Sequence, residues 1–341
     1  MKETVYKLPD EFLKRLRLIY PAFDRQICST FLVKKEQTFR INYLKTDLRS
    51  LKGYLNRERI RYSELVWPKG AFVLKSDLKA LQRSLIYKEG LVYVQNVSSM
   101  IPPLILEPAA EDKILDLCAA PGAKTTQIVS LAGESAFSQR GLSDMTPEEK
   151  NSQIKALLDK QFELVAFEKI RVRYYKLLAN LKIQGADFIT PLLCDGIWAR
   201  KKYPDYFDKI LLDTPCSGEG RFYINNPRSF KYWKYRKVKE MAHKQKKLIA
   251  SAFRALGSGG ILVYSTCTFS PEENEEIVDW ALNKFKDGIE LRPINLSLKN
   301  TLAGLISWRG KKFSAALTMA CRIIPTSFME GFFIAKLKKI S

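Results

Sequence analysis

Two cysteines stand where a buried strand would end. Cys267 follows the apolar run of residues 261–263 in GGILVYSTCTFSPEE, and Cys216 follows the run of residues 210–212 in DKILLDTPCSGEG. Short apolar runs flanked by turn residues are typical of buried parallel strands, and ligands of open α/β sheets bind outside the carboxyl ends of such strands. A thiol at that edge is placed to act as a nucleophile. We therefore expect both thiols to face one pocket, and we assign the nucleophile to Cys267.

The residues around the two thiols favour a site over simple packing. Asp213 ends the second of these runs, so a carboxylate and a thiol reach the sheet edge together. After Cys267, the residues Ser270, Pro271 and Glu273 have the pattern of an N-cap, a first-turn proline and a capping-box partner, which predicts a helix beginning there. A disulfide or a metal pair is the alternative for the cysteines. Six widely spaced cysteines without a CxxC pair argue against both.

A turn of small residues lies earlier in the chain, in the segment KILDLCAAPGAKTTQ. Residues 113–118 are predicted to form a strand, residues 119–123 a tight turn, and residues from 125 onward a helix. Small residues let the backbone approach a ligand, and a helix N-terminus favours an anion. The turn is not a Walker A loop, because Cys118 and Ala123 occupy the glycine positions, and it is not a GxGxxG turn either.

Two acids follow at the ends of the next predicted strands. Glu168 ends the strand LVAFE, where a carboxylate commonly binds ribose hydroxyls. Asp195 ends a third strand, where it either receives an adenine amino group or caps the helix that follows. Gly122 and Glu168 are 46 positions apart, against about 20 in the usual motif. The excess, residues 133–160, is predicted to be an inserted surface loop and helix capped at Thr146.

The bulk composition favours a polyanionic partner. The 341-residue chain has 57 lysine and arginine residues against 36 acidic residues, a formal net charge of +21, which indicates RNA or DNA. No apolar run approaches the length of a membrane span, and the N-terminus has no signal-peptide core. We therefore expect a cytoplasmic protein that binds neither membrane nor metal.

The length predicts about two domains, which we place at residues 1–90 and 91–341. Up to residue 70 the first domain has 16 basic against 8 acidic residues. Basic side chains interleaved with aromatic rings suit single-stranded RNA, whose bases stack, so this domain is predicted to position RNA. A solvated surface over core aromatics is the alternative. The aromatic residues concerned are Tyr43, Tyr54, Tyr62 and Trp67.

A second basic segment follows Cys216. A helix is predicted over residues 230–256, and residues 228–247 contain nine basic side chains against one acid, Glu240. Because this segment directly follows the loop of residues 213–221, we expect it to grip RNA phosphates. A solvated helix face is the alternative.

Several segments together resemble the RNA cytosine-C5 methyltransferases of the Sun/nucleolar-protein type. They are VQNVSSMIPPLIL, LDLCAAPGAKTTQ, DKILLDTPCSGEG, GGILVYSTCTFSPEENEEIV and RIIPTSFMEGFFIAKL, and TFRINYLKT resembles the family's N-terminal domain. The resemblance implies an α/β fold: a Rossmann-like class I methyltransferase domain with a smaller basic α+β N-terminal domain. The chain departs from the family at Ala123, where glycine is usual, and at Thr326, where histidine is frequent.

The resemblance also implies a cofactor and roles for the site residues. Cys267 is implied as the nucleophile, and Cys216 as a helper in releasing the product. S-adenosylmethionine is implied as the cofactor, held by the small-residue turn and the strand-end acids, namely Cys118, Ala119, Ala120, Pro121, Gly122, Ala123, Lys124, Glu168, Asp195 and Asp213.

The chemistry suits these residue types. C5 of cytosine is a poor nucleophile, and addition of the Cys267 thiolate to C6 makes it enamine-like. Lys124 and the preorganised pocket are candidates for stabilising the thiolate, and Asp213 is our choice for the contact to N3. The only histidine, His243, lies in the basic helix, so Cys216 or solvent is expected to take the C5 proton.

We therefore predict a monomeric enzyme that forms 5-methylcytosine in structured RNA, with ribosomal RNA ahead of transfer RNA. A DNA cytosine-C5 methyltransferase is one alternative, because such enzymes place the nucleophile in a Pro-Cys dipeptide like Pro215-Cys216. The TCT loop and the lack of a large target-recognition insert argue against it. A non-catalytic RNA-binding factor of ribosome assembly is the other alternative, opposed by the presence of both cysteines, Asp213 and Lys124.

Overall fold

The computed structural model describes residues 7–139 and 147–340. Up to residue 94, the helices are α1 (Asp10–Ile19), α2 (Asp24–Thr30), α3 (Leu48–Arg57), α4 (Leu78–Arg83) and α5 (Leu85–Lys88). The strands are β1 (Thr38–Ile41), β2 (Tyr62–Glu64), β3 (Ala71–Leu74) and β4 (Val92–Val94). These strands form a small antiparallel sheet in the order β2-β3-β1-β4.

Two hydrophobic clusters share these first elements. One lies within residues 39–92 and forms the core of the small sheet with α3 to α5. The other joins the apolar faces of α1 and α2 to side chains of later loops, among them Phe222, Trp233 and Phe269. Helices α1 and α2 thus pack on the second part of the chain, while the division at residue 90 stays a prediction.

The four aromatic residues predicted to stack on RNA bases belong largely to the interior. Tyr43 is buried, and Tyr54 and Tyr62 pack against the core of the small sheet. Trp67 packs against the large cluster beneath the second sheet. The stacking prediction is corrected for Tyr43, whose ring is buried in a hydrophobic cluster as the alternative interpretation held, and it stays a prediction for the half-buried rings of Tyr54, Tyr62 and Trp67.

After residue 94, the described helices are α6 (Val97–Leu106), α7 (Ala123–Gln139), α8 (Pro147–Gln161), α9 (Arg171–Gln184), α10 (Ala199–Lys202), α11 (Tyr235–Ala255) and α12 (Glu275–Phe285). The strands are β5 (Lys113–Asp116), β6 (Glu163–Glu168), β7 (Thr190–Leu193), β8 (Phe207–Asp213), β9 (Leu256–Thr266), β10 (Ile289–Arg292), β11 (Thr301–Ala303), β12 (Ser307–Trp308), β13 (Lys311–Lys312), β14 (Cys321–Ile323) and β15 (Phe332–Lys339).

The second part is built on a nine-stranded sheet. Its order is β11-β14-β15-β9-β8-β5-β6-β7, with β10 also paired to β15. Strands β5 to β9 run parallel, and β15 runs antiparallel to β9. Neighbouring residues of β8, Ile210 and Leu211, enter two different hydrophobic clusters, so helices cover both faces. This is the doubly wound α/β arrangement expected from the apolar runs.

Helix α12 begins at Glu275, not near Ser270 as the capping-box pattern predicts. The side chains that suggested a cap make tertiary contacts instead. Ser270 Oγ donates to a Glu219 carboxylate oxygen at 2.7 Å, and Glu273 accepts a hydrogen bond from the Ser217 N–H at 2.9 Å. The residues before α12 therefore form a turn that joins the two thiol-bearing loops.

The predicted insertion of residues 133–160 is corrected at its start, while its predicted surface helix is present as α8. Helix α7 continues through residue 139, and α8 packs on the core, where Ile154 and Leu158 are buried. A Cβ on Gly133 would lie 2.8 Å from Ile154 Cγ2, so the glycine allows the two helices to approach closely. The segment is thus a packed helical pair in its described residues. The predicted cap, Thr146, lies outside them.

Candidate active site

The register between β8 and β9 brings the two cysteines together. Asp213 is aligned with Ser265, so Cys216 and Cys267 leave neighbouring strands within three residues of an aligned pair. Their Sγ atoms are 3.3 Å apart, and both are free thiols. The structure therefore places both thiols in one site at the carboxyl edge of the sheet.

The two thiols differ in acidity. The pKa of Cys267 is lowered by the hydrogen bond from Cys216 and by the positive charge of Arg221, although burial opposes the change. The pKa of Cys216 is raised well above its usual value by the same hydrogen bond and by burial. Because the thiolate is the nucleophilic form, the geometry favours attack by Cys267.

Two buried carboxylates fix the loops that carry the thiols. Glu273 accepts hydrogen bonds from the Ser217 N–H and Gln245 Nε2, both at 2.9 Å, and burial raises the pKa of Glu273 to about 8. Glu219 accepts four hydrogen bonds at 2.7–3.0 Å, from Trp233 Nε1, Thr268 Oγ1, the Phe269 N–H and Ser270 Oγ. These hydrogen bonds therefore tie the loop after Cys216 to the loop after Cys267.

Lys124 and Asp213 form an ion pair beside the thiols. Lys124 Nζ lies 2.6 Å from Asp213 Oδ2 and donates to Ser99 Oγ at 2.7 Å. The ammonium group of Lys124 is thus already paired with the Asp213 carboxylate. The cation that lowers the pKa of Cys267 is Arg221, which corrects the sequence-based choice of Lys124 for stabilising the thiolate.

Arg221 is a site residue that the sequence analysis does not identify. The N–H of its neighbour Gly220 donates to the Cys267 carbonyl at 2.9 Å, which places Arg221 next to Cys267. Among the described residues, no acceptor or carboxylate pairs with its exposed guanidinium. The only sequence signal is its position directly after the DKILLDTPCSGEG segment.

A pocket of about 490 Å³ opens beside the thiols at the same sheet edge. Three residues predicted to hold the cofactor, Cys118, Glu168 and Asp195, line it, and Pro215 connects its wall to Cys216. Part of its wall is apolar, formed by Leu117, Ile197, Met241 and Leu248, and four cations also line it: Lys169, Arg173, Lys244 and Lys247. Burial raises the pKa of Cys118 well above its usual value, so this thiol is part of the wall.

The two strand-end acids are held by local hydrogen bonds. Glu168 accepts one from the Ile170 N–H at 2.7 Å. Asp195 accepts one from the Ile197 N–H at 3.2 Å and one from Lys169 Nζ at 2.6 Å. Asp195 therefore caps the short 3₁₀ helix after it, as the alternative interpretation held, and still borders the pocket.

The predicted turn of residues 119–123 adjoins this pocket. Gly122 has φ of +107°, a conformation that strains residues with a side chain, and its N–H donates to the Ala119 carbonyl at 2.8 Å. Ala123 begins α7, where alanine is favourable, so the departure from glycine there needs no change of the turn.

Buried Arg40 links the small sheet to this turn, a contact that the sequence analysis missed. From β1 its guanidinium donates to the Ala123 carbonyl at 2.9 Å and to Thr126 Oγ1 at 2.8 Å. Burial lowers its pKa to about 9. The segment TFRINYLKT thus helps to position the turn.

The pocket fits a nucleoside cofactor. Its apolar wall suits a flat heteroaromatic ring, and the carboxylates of Glu168 and Asp195 can accept hydrogen bonds from hydroxyl and amino groups. The ion pair of Lys124 and Asp213 lies outside the lining of this pocket, on the side of the thiols. A bound cofactor would therefore reach from the strand-end acids toward the two cysteines.

The basic helix α11 begins at Tyr235, five residues later than predicted. Val238, Met241 and Leu248 form its buried face, and most of its lysines are exposed. Lys244 and Lys247 line the 490 Å³ pocket, so the predicted contact with RNA phosphates falls to the other cations of this segment.

The chain can be compared with known families at this point. The model for the 16S rRNA methyltransferases RsmB/F matches residues 103–137 and 143–338. The chain belongs to this family. Membership confirms the predicted Sun-type RNA cytosine-C5 methyltransferase and S-adenosylmethionine as its cofactor.

Individual relatives of this RsmB/F protein differ in their substrates. It is 35% identical over 307 residues to the tRNA (cytosine(49)-C(5))-methyltransferase of Pyrococcus abyssi, covering 89% of this chain and 88% of that one. It is 30% identical over 350 residues to the ribosomal RNA small subunit methyltransferase F of Vibrio campbellii, covering 100% of this chain. The chain spans 65% of the length of that second relative.

Solved structures support the same fold. A methyltransferase homologue from Pyrococcus horikoshii has a TM-score of 0.78 at 27% identity, covering 97% of this chain and 95% of that one. NSun6 from the same organism, solved with an S-adenosylmethionine analogue, has a TM-score of 0.75 at 21% identity, covering 98% of each chain. The predicted Rossmann-like methyltransferase fold is confirmed.

Neither a membrane span nor a metal centre emerges from the described residues. None of their helices is long and apolar enough to cross a bilayer. In residues 7–139 and 147–340, no three histidine, cysteine or acidic side chains are grouped to hold a metal ion.

Proposed function

We propose that this RsmB/F protein methylates C5 of cytosine in structured RNA through a covalent bond between Cys267 Sγ and C6 of the base. The observation that carries the proposal is the pair of thiols 3.3 Å apart, of which one has a lowered and the other a raised pKa. A site with one ready nucleophile and one protonated neighbour suits attack followed by release.

The attack step uses three side chains. The Cys267 thiolate adds to C6, and the electron pair of the C5–C6 bond moves so that C5 becomes nucleophilic. As the thiolate adds, N3 takes up a proton from solvent, and Asp213, paired with Lys124, accepts the hydrogen bond of the resulting N3–H, which stabilises the adduct. S-adenosylmethionine supplies the methyl group that C5 takes up.

The release step uses the second thiol. The C5 proton must leave, and its electron pair reforms the C5–C6 bond as the C6–S bond breaks. Cys216 lies within hydrogen-bonding distance of the leaving sulfur, so it stabilises the regenerated thiolate. Cys216 gives its own proton to the departing Cys267 sulfur and can then take up the C5 proton, or that proton passes to solvent, since His243 is exposed on α11 and does not line the pocket.

Ribosomal RNA is our first proposed substrate, and transfer RNA is the second. The second is favoured by the relative named for tRNA cytosine 49, with which this chain shares 88% of that protein's length. The exposed cations of α11 would grip phosphates of either RNA, and the first domain would position it. A DNA substrate or a purely structural role in ribosome assembly would leave both RNAs unmethylated.

Bisulfite sequencing of RNA from a deletion strain tests this proposal. A cytosine in ribosomal or transfer RNA should lose its resistance to conversion, and the wild-type gene but not Cys267→Ala should restore it. Cys28→Ala, a half-buried thiol outside the site, is the matched control and should restore methylation. Unchanged RNA in the deletion strain would refute the proposed function.

A further inference from the structure

The proposed chemistry does not by itself distinguish cytosine from uracil, and this inference rests on that proposed function. Uracil has the same C5–C6 double bond and accepts a thiolate at C6 in the same way. Asp213 does not reject it either, because a carboxylate at N3 accepts a hydrogen bond from the N3–H of uracil. The site therefore needs a group that reads position 4, where cytosine has an amino donor and uracil an oxygen acceptor.

The backbone around Glu330 lies against the loop that carries Cys216 and Arg221. The Gly331 N–H donates to the Gly220 carbonyl at 3.3 Å, and the Gly220 N–H donates to the Cys267 carbonyl at 2.9 Å. A Cβ on Gly220 would come within 2.2 Å of the Gly331 carbonyl oxygen. The turn before β15, which carries Glu330, is therefore in direct backbone contact with the loop that follows Cys216.

The position of Glu330 is fixed from the other side as well. Its N–H donates to Asn96 Oδ1 at 3.2 Å, and its carbonyl accepts a hydrogen bond from Ser98 Oγ at 2.7 Å. Asn96 caps α6 and Ser98 lies in its first turn. Both backbone groups of Glu330 are hydrogen-bonded to residues at the start of α6, which fixes the backbone from which its side chain extends.

The Glu330 carboxyl differs from every other acid beside the thiols. Asp213 is held by Lys124 and Ser265, and Glu219 and Glu273 accept hydrogen bonds from neighbouring loops. In the part of the chain that the structure describes, no donor lies within hydrogen-bonding distance of the Glu330 carboxyl. Its charge nevertheless acts on Cys267 and Arg221, which places it inside the site.

A buried or half-buried polar group without a partner is costly, and at functional sites the missing partner is frequently a ligand. We propose that the Glu330 carboxylate accepts a hydrogen bond from the N4 amino group of the target cytosine and thereby selects cytosine against uracil. An ionised carboxylate only accepts hydrogen bonds, so it meets O4 of uracil as a second acceptor. A site built to accept a hydrogen bond from a substrate donor strongly rejects an analogue that lacks this donor.

The variant Glu330→Gln tests the proposal, because an amide accepts from N4 and also donates to O4. The substrates are two short transcripts of the region that the wild-type protein methylates, with cytidine or uridine at the target position. Loss of a charge-assisted hydrogen bond should lower kcat/KM for cytidine by roughly 10-fold to 100-fold, and 5-methyluridine should appear. The cytidine-to-uridine ratio should fall by about 100-fold or more.

Controls separate this role from a structural one. Glu111→Gln, an exposed acid outside the site, should keep the wild-type ratio, and Glu330→Asp should lose cytidine turnover while still rejecting uridine. If Glu330→Gln keeps the wild-type ratio of kcat/KM for cytidine to kcat/KM for uridine, the proposal is overturned. This holds whether both rates fall together or only their pH dependence changes. Wild-type protein that methylates neither transcript would instead refute the proposed function.

Discussion

Replacing each thiol in turn separates attack from release. Cys267→Ala removes the proposed nucleophile, so RNA should bind without becoming methylated or covalently attached. Cys216→Ala keeps the nucleophile and the charge of Arg221 but removes the S–H donor 3.3 Å from Cys267 Sγ. Hydrogen bonds to charged groups contribute about 1.5–3 kcal/mol. Attack at neutral pH should therefore slow by roughly 10-fold to 150-fold, while release should be impaired further.

The assay is a denaturing gel of protein incubated with labelled RNA and S-adenosylmethionine. Cys216→Ala should accumulate a slowly migrating band that protease removes, while the wild type, Cys267→Ala and the double variant should not. Cys28→Ala is the matched control, because this half-buried thiol lies in the cluster around α1 and α2. Its behaviour should equal that of the wild type.

The opposite pattern would refute the reasoning. An adduct in Cys267→Ala and none in Cys216→Ala would make Cys216 the nucleophile, as in the DNA-type alternative. An adduct that forms in Cys216→Ala as fast as the wild type attacks would show that the hydrogen bond between the thiols does not activate Cys267.

The remaining predictions concern cofactor, acidity and RNA grip. Glu168→Ala should weaken S-adenosylmethionine binding about 10-fold, because a hydroxyl acceptor is lost; unchanged calorimetric affinity would exclude Glu168 from the ribose site. Arg221→Met should raise the pKa of Cys267, so the methylation rate should rise only at higher pH than in the wild type, whereas Arg254→Met should leave the profile in place. An unmoved profile in Arg221→Met would mean that another group stabilises the thiolate. Charge reversal of three exposed lysines outside the cofactor pocket, Lys231, Lys234 and Lys237, should weaken the binding of all RNAs and flatten its salt dependence. Wild-type affinity with an unchanged salt slope would show that these lysines only form a solvated surface.

The thiol-bearing strands were predictable because buried parallel strands are continuous apolar runs. Residues 210–212 and 261–263 mark β8 and β9, and both thiols follow at the expected edge. The sequence does not contain the register that aligns Asp213 with Ser265. That register depends on how the strands pair in space, and together with the hydrogen bonds of Glu219 and Glu273 it brings the two Sγ atoms together.

The sequence-based predictions failed where a side chain could bond either to a neighbour in the sequence or to a residue far along the chain. Glu273 fits a capping box in the sequence, but its carboxylate bonds to Ser217 and Gln245 instead, so α12 starts later. Glu330 lies in a segment that the resemblance covers and Arg221 directly follows another, yet their proximity requires the contact of Gly220 with Gly331, residues more than a hundred positions apart. No local pattern encodes such a contact.

The first two helices support the nucleophile loop more directly than they support the small sheet. Arg15 on α1 pairs with Glu272 at 2.6 Å, and Tyr20 after α1 accepts a hydrogen bond from Arg322 at 2.7 Å, which is itself paired with Glu275. Both ion pairs are buried. Removing one partner of such a pair leaves an uncompensated charge and costs about 3–5 kcal/mol. Because Glu272 lies between Cys267 and α12 and Glu275 begins α12, side chains from the first twenty residues hold the segment that directly follows the proposed attacking thiol.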